Sequence, residues 1–171
     1  MSSSESIKRK RLTVEIAEIH ANPIQDISTT PRSDADFLIW DAVILGPDQT
    51  VWQNAVLLLE ISFKDTEYPF DPPKVRFQTS MYHPNIYKNG DICLNTLKKD
   101  REGWSPSYSI RSLLIQIQSL LCDPNPDDPA NPEAAQTYVC DRHMYEMKVR
   151  ERVKQSLEDA LPIELRSENV K

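Results

Sequence analysis

The chain has 171 residues, and its 20 Lys+Arg against 26 Asp+Glu give a formal net charge of -6, with 39% hydrophobic residues. This length predicts a single globular domain with one sizeable core. The acidic balance argues against a general nucleic-acid binder, whose phosphate contacts require a basic surface. The longest apolar stretch, residues 37–45, is far shorter than the roughly 20 residues that span a membrane, so no transmembrane segment is expected.

The N-terminus and the cysteines both indicate a reducing compartment. A basic run at residues 8–11 has no apolar core behind it, so we expect no secretory signal and predict a cytoplasmic protein, with nuclear entry open. Cys93, Cys122 and Cys140 include no CxxC pair and have an odd total, which argues against a disulfide scaffold or a metal site. Each cysteine is expected by default to be a small buried residue.

The first half of the chain predicts one helix followed by strands. Leu12, Ile16 and Ile19 fall at i, i+4 and i+7 and predict an amphipathic helix over residues 6–20. The polar stretch 28–36 is interpreted as a connector. Three strands joined by short turns predict an antiparallel meander, and they cover residues 37–45, 55–63 and 74–78.

The second half predicts an irregular loop and then helices. Residues 79–103 show no sustained period, and loops of this length are often functional. Ser109 is predicted to cap a helix with apolar residues at spacings of three and four, which ends before the proline-rich residues 123–129. Asn131 is predicted to cap a further helix, and the last helix to end before Pro162.

Cys93 lies in the irregular loop, where a substrate could reach its thiolate. Cys122 instead follows an apolar helical face, and Cys140 belongs to a predicted helix. A phosphatase loop would need an arginine six residues after the nucleophile, but that position is Lys99, and papain-like or caspase-like signatures are missing. His83 is a conceivable base, although a satisfied structural histidine is the commoner case.

Five motifs follow one another along the chain. They are YPFDPPKVRF at residues 68–77, HPN at 83–85, GDICL at 90–94, WSP at 104–106 and LLCDPNPDDP at 120–129. In order and spacing this set resembles the ubiquitin-conjugating enzyme family. The resemblance implies the UBC fold, an α+β architecture with an N-terminal helix, a four-stranded antiparallel meander sheet and C-terminal helices, of which only the fourth strand is not visible in the residue pattern.

The resemblance places this core domain at residues 7–161, between a flexible N-terminus of residues 1–6 and a short tail of residues 162–171. It implies that Cys93 accepts ubiquitin as a thioester from an activating enzyme and passes it to substrate lysines, usually with a ubiquitin ligase. A thiolate is a good leaving group, so no bound cofactor or metal is needed, and ATP is used by the upstream activating enzyme. The implied partners are ubiquitin, these two enzymes and protein substrates with acceptor lysines, without nucleic acid or membrane.

Two further residues are implied to be catalytic. Asn85 resembles an asparagine whose side-chain amide stabilises the oxyanion; the alternative is that it only braces the loop, and both interpretations stay open. Asp128 matches an acidic residue that helps to orient and deprotonate the incoming lysine.

Four residues are implied to support the site. His83 is chiefly structural in the family, so it is not assigned as a base. Tyr87 either packs the lysine stem or is simply a half-buried loop tyrosine. Asn125 and Ser105 fall in loops that neighbour the cysteine, and we expect them to shape the donor-ubiquitin and gate positions.

Two docking surfaces are also implied. The basic run on the first helix, which we expect to reach water, resembles the face that meets the activating enzyme, and it consists of Lys8, Arg9, Lys10 and Arg11. Phe70 with Ser105 and Pro106 resembles the two-loop patch that ligases grip. The competing interpretations are a solvated helix face or a weak nuclear signal for the basic run, and a core position for Phe70.

The chain departs from the family at three places. Residues 52–55 lack the usual glycines, but Asn54 tolerates a left-handed conformation, so we expect the hairpin to survive. A short insertion at residues 98–103 adds charge beside the active site. Asn95 stands where many ubiquitin carriers have Asp, which leaves a carrier of another ubiquitin-like modifier as the alternative. A non-catalytic UBC-fold adaptor would lack the cysteine, and a thiol protease is the remaining enzyme class.

Overall fold

The computed structural model describes residues 3–100 and 102–161. The elements in chain order are α1 (Ser3–Ala21), β1 (Ile27–Pro31), β2 (Ile39–Leu45), β3 (Val56–Ser62), β4 (Lys74–Phe77), α2 (Ile110–Cys122), α3 (Pro132–Cys140) and α4 (Arg142–Ala160). A short 3-10 helix, Asn95–Leu97, lies between β4 and α2. The strands form one antiparallel sheet in the order β1-β2-β3-β4, which confirms the predicted α+β architecture.

The strand that the residue pattern does not show is β1, the first in the chain. It overlaps the stretch 28–36 that the sequence predicts to be a connector. It pairs antiparallel with β2, from Ile27 opposite Ile44 to Pro31 opposite Trp40. Ile27 and Thr29 are buried while the residues between them face water. A polar sequence is sufficient here because β1 is an edge strand, where proline is also tolerated. The connector interpretation is therefore wrong for the first residues of that stretch.

The hairpin between β2 and β3 survives without the family's glycines. Asn54 takes the left-handed conformation with φ 71°, as its residue type allows. The Ala55 N–H donates to the Trp52 carbonyl at 2.9 Å, and the Gly46 N–H donates to the Ala55 carbonyl at 2.9 Å. The buried Trp52 indole donates to the Leu121 carbonyl at 3.0 Å, so the turn is attached to the end of α2.

The core lies between one face of the sheet and the helices. The buried strand residues alternate along β2, β3 and β4, and they are Trp40, Ala42, Ile44, Leu57, Leu59, Ile61, Val75 and Phe77. Burial of side chains of this size stabilises the fold by about 1.5–3 kcal/mol each for the larger members. The described part of the chain contains no helix long and apolar enough to cross a membrane.

The helix ends agree with the predicted caps. Ser109 caps α2 by accepting a hydrogen bond from the Ser112 N–H, and Asn131 caps α3 in the same way. α1 begins at Ser3, so residues 3–6 of the segment predicted to be a flexible N-terminus belong to this helix. The remaining residues 1–2 and the predicted tail, residues 162–171, lie outside the described residues.

A buried carboxylate joins α1 to α2. Glu15 is 4% exposed and accepts hydrogen bonds from the Ile110 N–H at 2.6 Å and from Arg11 Nε at 2.6 Å. The Tyr68 hydroxyl also donates to Glu15. Burial and the charge of Glu15 hold the pKa of Tyr68 far above its usual range, so the hydroxyl keeps its proton. Glu15 thus ties three parts of the molecule together.

Candidate active site

The segment that carries Cys93 is a short hairpin, residues 85–93, at the end of the sheet. The Cys93 N–H donates to the Asn85 carbonyl at 2.8 Å and closes the hairpin. Gly90 turns it with φ +92°, and a Cβ there would lie 2.1 Å from the Phe77 carbonyl oxygen. Glycine is required at this turn, because both the positive φ and the contact with β4 exclude a side chain.

Asn85 is buried and braces the loop that follows α2. Its Nδ2 donates to the Asn125 carbonyl at 2.7 Å and to the Asp128 carbonyl at 3.3 Å. Its Oδ1 accepts from the Asn125 N–H at 2.8 Å. The backbone carbonyl of Asn85 holds Cys93, so this residue links the hairpin to the loop. Both amide hydrogens are engaged in the brace, and a contact with an oxyanion would require one of them to be released.

His83 has the geometry of a structural histidine. Its Nδ1 accepts from the Asn85 N–H at 3.0 Å, so the ring proton lies on Nε2, which donates to the Leu120 carbonyl at 2.8 Å. Burial lowers the pKa of His83 to about 4. The neutral ring therefore fastens the hairpin to α2, and neither nitrogen is free to take a proton from a substrate.

The three cysteines differ in exposure. Cys93 is half-buried, whereas Cys122 and Cys140 are exposed, so the expectation of small buried residues is wrong for these two. They occupy the last positions of α2 and α3. Partial desolvation of the sulfur, and then the charge of Asp123, raise the pKa of the Cys122 thiol and lower its thiolate fraction. Among the described residues, no group of three or more His, Cys, Asp or Glu is placed to hold a metal ion.

Exposed side chains stand on the two segments that Asn85 joins. Tyr87 of the hairpin is 47% exposed. Asn125 and Asp128 are exposed, although the backbone carbonyls of both are held by Asn85. The loop of Asn125 and Asp128 is thereby brought against the hairpin of Tyr87 and Cys93, with its side chains exposed.

The expected ligase patch is formed by two neighbouring loops. The Trp104 indole donates to the Pro69 carbonyl at 2.8 Å and holds these loops together. Phe70 is 62% exposed, so it is not a core residue, and Pro106 is exposed as well. Ser105 is half-buried and forms its side-chain hydrogen bonds within its own loop, away from the hairpin.

The insertion at residues 98–103 is fastened to the same patch. Lys99 Nζ lies 2.7 Å from Asp71 Oδ2, next to Phe70. The Trp104 N–H donates to the Lys98 carbonyl at 2.8 Å and closes the insertion on itself. The charge of Lys99 is therefore placed beside Phe70, a neighbour that the sequence pattern does not identify.

The expectation that all of residues 8–11 reach water is wrong for Lys8. Lys8 is 6% exposed, and its Nζ donates to the Phe63 carbonyl at 3.0 Å. The aliphatic stem is buried with the rest of this helix face, and the carbonyl satisfies the ammonium group. Lys8 therefore contributes to packing rather than to an exposed basic face.

The other members of the basic run differ from one another. Arg11 donates to the Pro106 carbonyl at 3.1 Å and to the Tyr108 carbonyl at 2.7 Å, so it anchors the loop before α2. Arg9 is half-buried, while Lys10 is exposed. Only part of the predicted basic face is thus available to a partner.

Backbone contacts complete the site, and sequence reasoning missed them. The Asn131 N–H donates to the Pro84 carbonyl at 2.9 Å, which fastens the start of α3 to the hairpin. The carbonyls of Asn125 and Asp128 likewise serve as acceptors for Asn85. Every residue type carries a backbone carbonyl, so no side-chain pattern could have identified these partners.

Comparison with known families identifies the relationship. The family model described as ubiquitin-conjugating enzyme matches residues 11–153, most of the chain. This match agrees with the five motifs and with the α+β architecture of helix, four-stranded antiparallel sheet and helices. The chain therefore belongs to the ubiquitin-conjugating enzyme family, whose members are transferases that interact with ubiquitin, activating enzymes and ligases.

Proposed function

We propose that this protein accepts ubiquitin as a thioester on Cys93 from an activating enzyme and transfers it to substrate lysines, usually with a ubiquitin ligase. One observation carries the proposal. Cys93 is a half-buried thiol in a fixed hairpin, within the matched residues, and Asn85 joins that hairpin to the loop of Asp128. The other two cysteines lie at helix ends.

The chemistry consists of two acyl transfers. In the first, the Cys93 sulfur attacks the thioester carbon on the activating enzyme, whose own thiolate leaves and takes up the proton that Cys93 loses. In the second, a neutral lysine amine attacks the new thioester, the C–S bond breaks, and the Cys93 thiolate leaves as the isopeptide bond forms. The thioester supplies the driving force, so ATP is consumed upstream and no bound cofactor is required here.

Asp128 prepares the amine for the second step. An exposed carboxylate attracts the lysine ammonium group, holds it close to Cys93 and accepts one proton from it, which leaves the neutral amine that attacks. The second proton, which the nitrogen loses as the carbon–nitrogen bond forms, passes to the departing Cys93 thiolate. Asn85 holds the loop that presents Asp128, and releasing one amide hydrogen would let it stabilise the oxyanion. Tyr87 and Asn125 border the path of the lysine stem.

The partner surfaces of this proposal lie on α1 and on the two loops that carry Phe70 and Pro106. We assign the exposed Lys10 and the half-buried Arg9 to the acidic surface of an activating enzyme. Phe70 with Pro106 provides the apolar patch for a ligase, bordered by Ser105. The cytoplasm and nucleus, where thiols stay reduced, are the compartments that suit this chemistry.

A charging assay tests the proposal. The purified protein is mixed with ubiquitin, activating enzyme and Mg-ATP and run on a non-reducing gel, beside a reduced sample. We expect a band heavier by one ubiquitin that disappears with reductant. Cys93→Ala should abolish the band, whereas the matched controls Cys122→Ala and Cys140→Ala should retain it.

The serine variant identifies the nucleophile chemically. Cys93→Ser should form an adduct that resists reductant, because an oxygen ester has a poorer leaving group than a thioester. A wild-type chain that stays uncharged would overturn the proposal. A reducible adduct on Cys93→Ser would move the nucleophile to another cysteine.

A further inference from the structure

A cavity of about 360 Å³ opens beside the hairpin, at the start of α3 and along α4. We call it the basic cavity, because Lys88, Lys148 and Arg152 line it against the acidic Glu133 and Glu151. Lys148 forms an ion pair with Glu133, which raises the pKa of Lys148, so these two charges compensate one another. Three basic side chains line the cavity against two carboxylates, so it retains a single positive charge in excess.

The remaining cations have no ion-pair partner. Within the described residues, neither Lys88 nor Arg152 forms an ion pair, and the Arg152 Nε is buried without a hydrogen-bond partner. A buried donor without an acceptor destabilises the protein, so a ligand acceptor that enters the cavity and accepts from the Arg152 Nε removes that cost.

Asn131 supplies a second, independent donor. Its side chain lines the cavity although the residue is only 5% exposed, and its Oδ1 caps α3 by accepting from the Ala134 N–H at 3.2 Å. The amide NH2 group of the same side chain is a further hydrogen-bond donor in the lining of the cavity. It stands at the N-terminus of α3, a nine-residue helix whose dipole favours negative charge at that end.

The groove beside β4 shows the contrast. It is larger, about 730 Å³, and it is also lined by basic residues. There each basic side chain is matched by a carboxylate, and the ion pairs are Lys74–Asp65, Arg76–Asp91 and Lys99–Asp71. Among the described residues, the basic cavity therefore keeps basic side chains without an ion-pair partner for a ligand, whereas the groove beside β4 does not.

The basic cavity and Cys93 share one hairpin, residues 85–93. Lys88 and Cys93 belong to the same hairpin, and the Asn131 N–H holds the Pro84 carbonyl just before it. We propose that the basic cavity binds an oxyanion, a carboxylate or phosphate group, carried by the acceptor protein whose lysine reaches Cys93. This inference rests on the proposed function. The acceptors that this protein selects would carry an acidic or phosphorylated residue near the target lysine.

Binding is tested first with inorganic phosphate. Titration followed by ¹H–¹⁵N NMR should shift the side-chain amide signals of Asn131 and the backbone signal of Glu133. Arg152→Glu should abolish the shifts, whereas Lys154→Glu, an equal charge change at an exposed position of α4, should preserve them. The absence of shifts in the wild-type protein would overturn the proposal.

Transfer is tested with charged enzyme in single turnover, so that differences in charging do not enter. Acceptor peptides carry one lysine and either Glu or phosphoserine at a series of spacings, and are compared with matched Gln or Ser peptides. We expect the acidic peptides to react about fivefold faster at the best spacing, as one partly solvated charge pair allows. The ratio should fall to one in Arg152→Glu and persist in Lys154→Glu.

Each outcome has a distinct meaning. If wild-type protein does not charge, the proposed function fails, while the phosphate titration still tests the cavity. If it charges and the ratio is one at every spacing, the role in acceptor selection is overturned even where phosphate binds. If circular dichroism shows that Arg152→Glu does not fold, Lys88→Glu at the exposed hairpin turn gives the same test.

Discussion

At the scale of single residues, Asn85 holds two segments with one side chain. Its three side-chain hydrogen bonds satisfy one N–H and two carbonyl groups of the loop after α2. Its own carbonyl fixes Cys93 at 2.8 Å. The proposed role in the transition state would use the same amide as this brace, and kinetics can separate the two.

Asn85→Ala should continue to charge with ubiquitin, while discharge to free lysine slows about 100-fold, the effect of losing one oxyanion donor. Loss of the brace should also lower the free energy of unfolding by about 1–3 kcal/mol in urea titrations. Asn89→Ala, at an exposed position of the same hairpin, is the control and should change neither rate. Equal losses in charging and discharge would contradict the oxyanion role and leave the brace alone.

In the proposed function Asp128 acts on the acceptor amine, so the effect of removing it should depend on pH. Asp128→Ala should slow discharge to lysine about tenfold near pH 7, equivalent to roughly 1.4 kcal/mol. The defect should shrink as the pH approaches the pKa of the amine, because the neutral amine then forms without help. The matched control is Asp127→Ala, an exposed neighbour. A defect that stays constant with pH would assign Asp128 to positioning only.

At the scale of elements, the tie between α1 and α2 depends on Glu15, a carboxylate that is almost completely buried. Glu15→Ala leaves Arg11 Nε and the Ile110 N–H without their acceptor, together with the Tyr68 hydroxyl. We expect the free energy of unfolding to fall by about 3–5 kcal/mol, because the partners of a buried charge remain unsatisfied. Urea titration measures this loss. Glu18→Ala on the exposed face of α1 should cost little, and similar losses in both variants would contradict the tie.

The elements that could be predicted from the sequence are those with a clear apolar period. α2 was located by its spacing and by Ser109, and three strands were located by β-branched and aromatic residues. β1 was missed because an edge strand buries only alternate residues, and Thr29 can occupy such a position. A polar sequence is therefore compatible with a strand when only one of its faces is packed.

α1 shows a second reason why a prediction from apolar residues fails, here for the face of the helix that is buried. Its buried face consists of Lys8, Leu12, Glu15 and Ile19, which follow helical spacing although two of them are charged. A scale that counts only apolar residues cannot recognise this stripe. The charged members become compatible with burial through particular partners, the Phe63 carbonyl and the Ile110 N–H, and those partners are fixed only by the tertiary fold.

The same distinction applies to the candidate site. Motifs located Cys93 and its hairpin, because glycine and the HPN triplet are side-chain signals. The loop after α2 could be identified as non-helical from its prolines, but its docking onto Asn85 depends on backbone carbonyls. Sequence reasoning therefore identifies the residues of the site better than it identifies the contacts that position them.

At the scale of the whole molecule, one buried imidazole makes stability depend on pH. His83 joins the hairpin, α2 and the residue that fixes Cys93, and burial lowers its pKa to about 4. In the unfolded chain a histidine titrates near pH 6.5. Between these two values the unfolded state binds one more proton, so stability rises with pH across this window and is lost as the pH falls.

We expect the free energy of unfolding to lose roughly 3 kcal/mol through His83 between pH 6.5 and pH 4, by the difference between the two pKa values. His83→Gln can keep both hydrogen bonds without titrating, so its stability should converge on that of the wild type as the pH falls. Urea titrations at several pH values measure the difference, in which the shared titration of carboxylates cancels. For His20→Gln and His143→Gln, at exposed positions, the free energy of unfolding should change with pH in parallel with that of the wild type. If His83→Gln also runs parallel, the imidazole is not held neutral by the fold, and the coupling between pH and the hairpin of Cys93 is absent.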